Sequence, residues 1–210
     1  EARWKSPIPA PLGERHEVEY NLELIHTLGI SVPPAPAPWL PVSPQEASSL
    51  SQRLEQLGVP VSSRLIAVHP WTSNPHKQWP VDRFRALIQR LAQEAGLAIV
   101  VIGGREEQAQ APEVLAGGRD TGRVLNLVGR CSLRELAALC QQVRVVVSND
   151  SGPIHVAAAV GTPVVALFGT GEAGSHPRRW GPWGEGHTVI HQPLEAITVD
   201  EVVRAVARYL

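Results

Sequence analysis

Methionine is absent from all 210 residues, and cysteine occurs only twice. Cys131 and Cys140, nine residues apart, fit neither a disulfide framework nor a zinc-ligand spacing, which points to a reducing compartment. An excess of charge of either sign is also lacking. Nineteen Lys and Arg face twenty Asp and Glu, so nothing electrostatic favours nucleic acid or an anionic membrane surface as a partner. Long apolar runs are missing: the longest, Val156 to Gly169, is interrupted by Gly161 and Pro163 and is too short to span a bilayer. No basic stretch leading into an apolar one opens the chain, so no secretory signal is expected, and a cytoplasmic location follows. A chain that starts Glu1-Ala2-Arg3 and contains no Met is expected to be a processed or excised piece.

Proline, in contrast, is abundant, and nine of the 19 fall in the first 45 residues. Residues 1–15 show no apolar periodicity and are expected to form an irregular arm. Val18, Leu22, Ile25 and Leu28 recur at helical spacing, so Glu17 to Leu28 is predicted to be a short amphipathic helix stopped by Gly29. Ser31 to Pro44 holds six prolines and must be extended, because Pro fixes φ and disfavours helix in the residue before it. It reads as a semi-rigid linker of polyproline II character, with a surface loop inside one domain as the alternative.

Beyond the linker the pattern turns regular. Apolar runs at Leu65–Val68, Ala98–Ile102, Val124–Val128, Val143–Val147, Val164–Phe168 and His187–Ile190 alternate with helical segments. Those segments are Gln45–Leu57, Pro80–Ala95, a polar one from about Glu106, Leu133–Gln141, Pro153–Val160 and Val199–Tyr209. Ser132 with Glu135 three residues on is a capping box. The central runs are continuously apolar, as strands buried on both faces must be. The fold class is therefore α/β, a Rossmann-like doubly wound parallel sheet.

Ligands of such sheets bind at loops leaving the carboxyl ends of the strands. Three loops here carry unusual residues. His69 to Pro80 offers Thr72, Ser73 and Lys77 ahead of a helix start, a combination suited to phosphate, although the Gly spacing of a Walker A loop is missing. A polar surface loop is the plainer alternative. Ser148-Asn149-Asp150-Ser151-Gly152-Pro153-Ile154-His155 again runs from strand to helix, with unpaired N–H groups expected at residues 151, 152, 154 and 155 and with Ser151 or Asp150 as a possible cap. Gly103-Gly104-Arg105-Glu106-Glu107 supplies carboxylates able to accept hydrogen bonds from ribose hydroxyls, or simply to complement their own helix dipole. His187 and His191 sit four apart on a strand with no third ligand evident, which disfavours a metal. Trp180 and Trp183 fit a lid, an interface or plain packing equally well.

Together these loops resemble the donor-binding half of glycosyltransferase family 9, the heptosyltransferases. The resemblance rests on Pro70…Lys77-x-Trp79-Pro80, on Gly103-Gly104 with Glu106 and Glu107, and on Ser148 to His155 followed by Ala157 to Pro163 and Leu167-Phe168-Gly169. It covers roughly residues 65–182 with the motifs in the family's order. It implies a GT-B enzyme, inverting and working without a metal or other cofactor. Lys77 with Thr72 or Ser73 would contact the donor diphosphate, and Glu106, or Glu107 one residue on, the ribose. Asp150, Ser151, Gly152 and His155 would lie against the diphosphate and sugar.

The resemblance also implies a donor that is a nucleotide-sugar such as ADP-heptose. The acceptor would be a lipid-linked lipopolysaccharide core saccharide, and the full-length enzyme would lie at the periphery of the inner membrane. The general base is expected in an N-terminal domain that residues 1–45 only end and link, leaving 46–210 as the nucleotide-sugar-binding domain. Another GT-B enzyme, such as a sugar-nucleotide epimerase, or a non-catalytic binding module would share these features. Trp71 stands where the family usually has Gly, and is expected to make the mouth of the phosphate loop bulkier.

Overall fold

The computed structural model describes residues 15–33, 35–59, 63–118, 123–171 and 175–210; the arm expected at the start of the chain lies almost wholly outside them. Six strands form one parallel sheet: β1 (Arg64–His69), β2 (Leu97–Val101), β3 (Val124–Asn126), β4 (Val145–Asn149), β5 (Val164–Phe168) and β6 (Thr188–His191). Their order is β3-β2-β1-β4-β5-β6. The central register aligns Ala67 with both Val100 and Val146. The chain winds outward from β1 to β3 and then returns to the other side of β1, so the strand order reverses between β1 and β4. A crevice opens at such a point, outside the carboxyl ends of the strands.

Alternate residues of each strand enter opposite cores. Ile66, Val68, Ile99, Val101, Val145 and Val147 pack on one face against α3 (Val81–Leu91), α4 (Ala111–Leu115) and α8 (Val199–Ala207). Ala67, Val100, Val146, Ala166 and Phe168 pack on the other against α2 (Pro44–Gln56), α5 (Leu133–Gln142) and α6 (Gly152–Ala159). This two-sided burial is why the strands carry continuous apolar runs. In α3, Phe84, Leu87, Ile88 and Leu91 form the buried stripe that its 3.6-residue period requires. The Ser132–Glu135 capping box forms as expected: Glu135 N–H donates to Ser132 Oγ at 3.2 Å, and Ser132 N–H to Glu135 Oε2 at 2.7 Å.

Several boundaries differ from expectation. Residues 105–110 form turns, and helix begins only at Ala111, because the polar stretch after Gly104 has no apolar face to bury before Ala111 and Val114. Pro80 precedes α3 as its N-cap, and Pro153 takes the second helical position of α6. The segment before α2 lies against the domain. Helix α1 (Glu17–Thr27) buries none of its own residues, yet its start is anchored: buried His16 Nε2 lies 2.9 Å from the Gly181 carbonyl, and Glu17 pairs with Arg179 at 2.8 Å. Trp183 donates its indole N–H to the Pro36 carbonyl at 2.9 Å and packs on the His16 ring, while Leu40 N–H donates to the Ala159 carbonyl at 3.0 Å. Trp183 thus packs within the chain, against the segment before α2.

Candidate nucleotide-binding site

The loop from Pro70 to Trp79 leaves β1 and returns at the head of α3, and one side chain of β4 fastens both of its ends. Asn149, fully buried, donates through Nδ2 to the Pro70 carbonyl at 2.7 Å and accepts the Trp79 N–H at Oδ1, 2.9 Å away. The Trp79 indole is sunk in the core, edge-on to Phe84, and donates to the Ile197 carbonyl at 3.0 Å. Between these anchors Asn74 accepts the His76 N–H at 3.0 Å and starts a 3-10 turn over Pro75–Lys77. That turn carries Lys77 toward β4, where its ammonium sits 2.9 Å from Asp150 Oδ2. Asp150 is 8% exposed and also accepts the Ser175 hydroxyl. Ser73 is exposed, and the Thr72 hydroxyl faces the Asn74 N–H at 3.4 Å.

Ser151 does not cap α6. Its extended backbone places it at the N-cap position, but its side chain makes no capping bond. Its hydroxyl turns inward instead, 3.0 Å from His69 Nδ1 and 3.1 Å from Ser148 Oγ. The Ile154 N–H, expected free, turns back on the Ser151 carbonyl at 3.2 Å. His69 is buried, and burial pushes its imidazole down to about 4, so it is neutral near pH 7.

Trp71 corrects the sequence expectation. It is 1% exposed and belongs to the core beneath the loop, not to its mouth. Its benzo ring fills the space under Gly103: a Cβ there would lie 2.9 Å from Trp71 Cε3 and 3.1 Å from Val128 Cγ1. Gly103 is therefore required by packing. The turn beyond it brings Glu106 and Glu107 to the same crevice. Burial, reinforced by the neighbouring Glu106 carboxylate, raises the Glu107 pKa, and one Glu107 carboxylate oxygen is buried without a hydrogen-bond partner.

These three loops enclose a cleft of about 460 Å³. Of the nine residues anticipated, it gathers eight: Thr72, Ser73, Lys77, Glu106, Glu107, Asp150, Ser151 and Gly152. His155 is the exception. It lies one turn along α6, outside the lining, exposed by area yet surrounded closely enough for burial to lower its pKa. The sequence reading missed His69, Asn149 and Ser175, and it missed the apolar wall formed by Ile102, Cys131, Leu133 and Leu136. Asn149 was legible as a polar residue ending an apolar strand; nothing in the sequence pointed to Ser175.

A crevice at the switch point of a parallel sheet, holding a cation, hydroxyls, paired carboxylates and an apolar wall, is the arrangement of a Rossmann-like domain. The chain belongs to glycosyltransferase family 9 (heptosyltransferase), whose family model matches residues 3–204. The lipopolysaccharide heptosyltransferase 3 of Escherichia coli K12 is 29% identical over 191 residues, an alignment covering 87% of this chain and 52% of that protein. Among solved structures, a family 9 glycosyltransferase of Veillonella parvula superposes with a TM-score of 0.82 at 21% identity, covering 93% of this chain and 60% of that one. The E. coli ADP-heptose lipopolysaccharide heptosyltransferase II superposes with a TM-score of 0.73 at 27% identity, covering 87% and 56%. The chain thus spans about half the length of the curated relatives it matches, and its fold is the Rossmann-like half of a GT-B glycosyltransferase.

Proposed function

We propose that this chain is the donor-binding part of an inverting heptosyltransferase that moves an ADP-linked heptose onto a lipopolysaccharide core acceptor, in the cytoplasm at the inner membrane. The observation that carries the reading is the convergence of Lys77, Ser151 and the Glu106–Glu107 pair, from three separate strand-end loops, on one cleft. Lys77 and the start of α6 supply positive potential for a diphosphate. Glu106, or Glu107 beside it, would accept ribose hydroxyls, and the wall of Ile102, Leu133 and Leu136 suits the flat face of a base.

As the glycosidic bond to the diphosphate breaks, negative charge gathers on the departing phosphate. Lys77, turning from Asp150 toward the phosphates, would stabilise it electrostatically. The acceptor site and general base belong, in this reading, to a preceding domain whose end and linker are residues 1–45, with 46–210 as the donor domain. With Trp71 in the core, its bulk does not narrow the cleft and gives no support to a non-catalytic module.

Calorimetry with ADP and with UDP tests the proposal. ADP is expected to bind and to bind more tightly than UDP, while the chain alone transfers no heptose. Failure of both nucleotides to bind at millimolar concentration would sink the donor-site reading.

A further inference from the structure

A serine at an N-cap position ordinarily turns its hydroxyl onto the N–H of the second or third helical residue. In α6 the second is Pro153, which has no N–H, so the Ile154 N–H is the one such partner for Ser151. Ser151 ignores it. Its hydroxyl is held in a closed triangle with His69 Nδ1 at 3.0 Å and Ser148 Oγ at 3.1 Å, and His69 Nδ1 lies 3.2 Å from Ser148 Oγ. Ser148 is fully buried and donates its own proton to the Asn149 carbonyl at 2.9 Å, so it can only accept from the other two. His69 is the last residue of β1 and Ser148 its register partner on β4, so the sheet fixes both.

We infer that His69 is a positioning residue for the nucleoside-diphosphate site: through Nδ1 it keeps the Ser151 hydroxyl turned inward, so that the start of α6 meets the ligand uncapped. The inference rests on the donor-site reading above. A capping hydroxyl would use the Ile154 N–H and place oxygen lone pairs where an anion has to sit. Because the imidazole is buried and neutral, the arrangement adds no charge; it only withdraws a competing acceptor. The tie also joins the phosphate loop to the Asp150-Ser151-Gly152 loop across the switch point, from the floor of the cleft.

The test is a double-substitution cycle with two readouts. His69→Leu is expected to weaken ADP about tenfold, the scale of one hydrogen bond to a charged group. Because His69 acts through Ser151, the same replacement made in a Ser151→Ala background should change ADP affinity less than twofold relative to Ser151→Ala alone, within the scatter of non-interacting sites. A generic packing defect would produce the full loss in both backgrounds and overturn the inference. His69→Asn, whose amide reaches the position of Nδ1, is expected to bind ADP as the unaltered chain does.

The second readout needs no ligand. Hydrogen exchange at the Ile154 amide should slow further in His69→Leu, as the Ser151 hydroxyl joins the Ser151 carbonyl as its acceptor, and should be unaffected by His69→Leu when Ser151 is Ala. Unchanged Ile154 exchange in the single variant overturns the role of His69 alone. An unaltered chain that binds no nucleoside diphosphate overturns the donor-site reading itself.

Discussion

Replacing Lys77 with alanine separates the phosphate contribution from the rest of the site, because the geometry gives its effects different sizes. In the free chain the ammonium is 2.9 Å from Asp150, with the lysine side chain 26% exposed and the carboxylate 8% exposed. Removing it leaves a nearly buried carboxylate that still accepts the Ser175 hydroxyl, at a cost on the order of 1–2 kcal/mol, less than for a fully buried pair because the lysine is partly solvated. In the complex the lysine would face a diphosphate, and a hydrogen bond to a charged group is worth roughly 1.5–3 kcal/mol. ADP should therefore bind roughly tenfold to a hundredfold more weakly to Lys77→Ala, while adenosine, which lacks the phosphates, should bind as before. Titration calorimetry with the two ligands at low and high salt reads both numbers, and the ADP deficit should shrink with salt, since the lysine is partly exposed. A deficit of equal size for ADP and adenosine, in a protein that remains folded, would refute the assignment of Lys77 to the phosphates.

Other expectations follow from the same geometry. Asp150→Asn frees Lys77 and removes an anion beside the diphosphate, so ADP affinity should rise several-fold; a fall measured by the same titration would show that Asp150 itself holds the nucleotide. Gly103→Ala forces a methyl group against Trp71 and Val128, and overpacking of this kind costs about 1–3 kcal/mol, to be read from urea unfolding. His69, neutral in the fold with a pKa of about 4, contributes stability that is complete above its unfolded value of about 6.5 and is lost as pH falls toward 4, by roughly 3 kcal/mol. The lowered pKa values of His155, His187 and His191 act in the same direction, so the His69 share is the part of the acid slope that disappears in His69→Asn. Burial raises the Cys140 thiol to about 12 and raises Cys131 as well, so Cys140 should resist iodoacetamide in the native state. Cys131, which lines the cleft, should be the slow-reacting thiol and should be shielded by ADP.

The sheet was legible because burial on both faces leaves an unmistakable trace: Leu65 to Val68, Ala98 to Ile102, Val145 to Val147 and Val164 to Phe168 admit no polar residue. The site was legible to the extent that its chemistry lies in contiguous loops, as Lys77 and Asp150-Ser151-Gly152 do. Direction was not legible. Trp71 stands two residues beyond a strand, where the sequence does not say whether a side chain turns to solvent or back to the core. That choice is made by Asn149 holding the Pro70 carbonyl and by the space under Gly103. Ser151 looked like a cap because its type and position suit capping, and only the third dimension brings His69 beside it. Ser175 reaches Asp150 from 25 residues away, with nothing in its neighbourhood to announce the contact.

Asn149 also gives the domain a chemical age. Its amide must donate on one side, to the Pro70 carbonyl, and accept on the other, from the Trp79 N–H. Deamidation would convert the donor into a second carboxylate oxygen facing a carbonyl, and the Pro70–Trp79 loop would lose one of its two fastenings while gaining a negative charge close to Asp150. The change adds less than one dalton and leaves the rest of the sequence untouched, so an ageing preparation would keep its apparent purity while its capacity for anions declined. Complete burial of Asn149, with aspartate as the next residue, keeps that clock slow for as long as the fold stays closed.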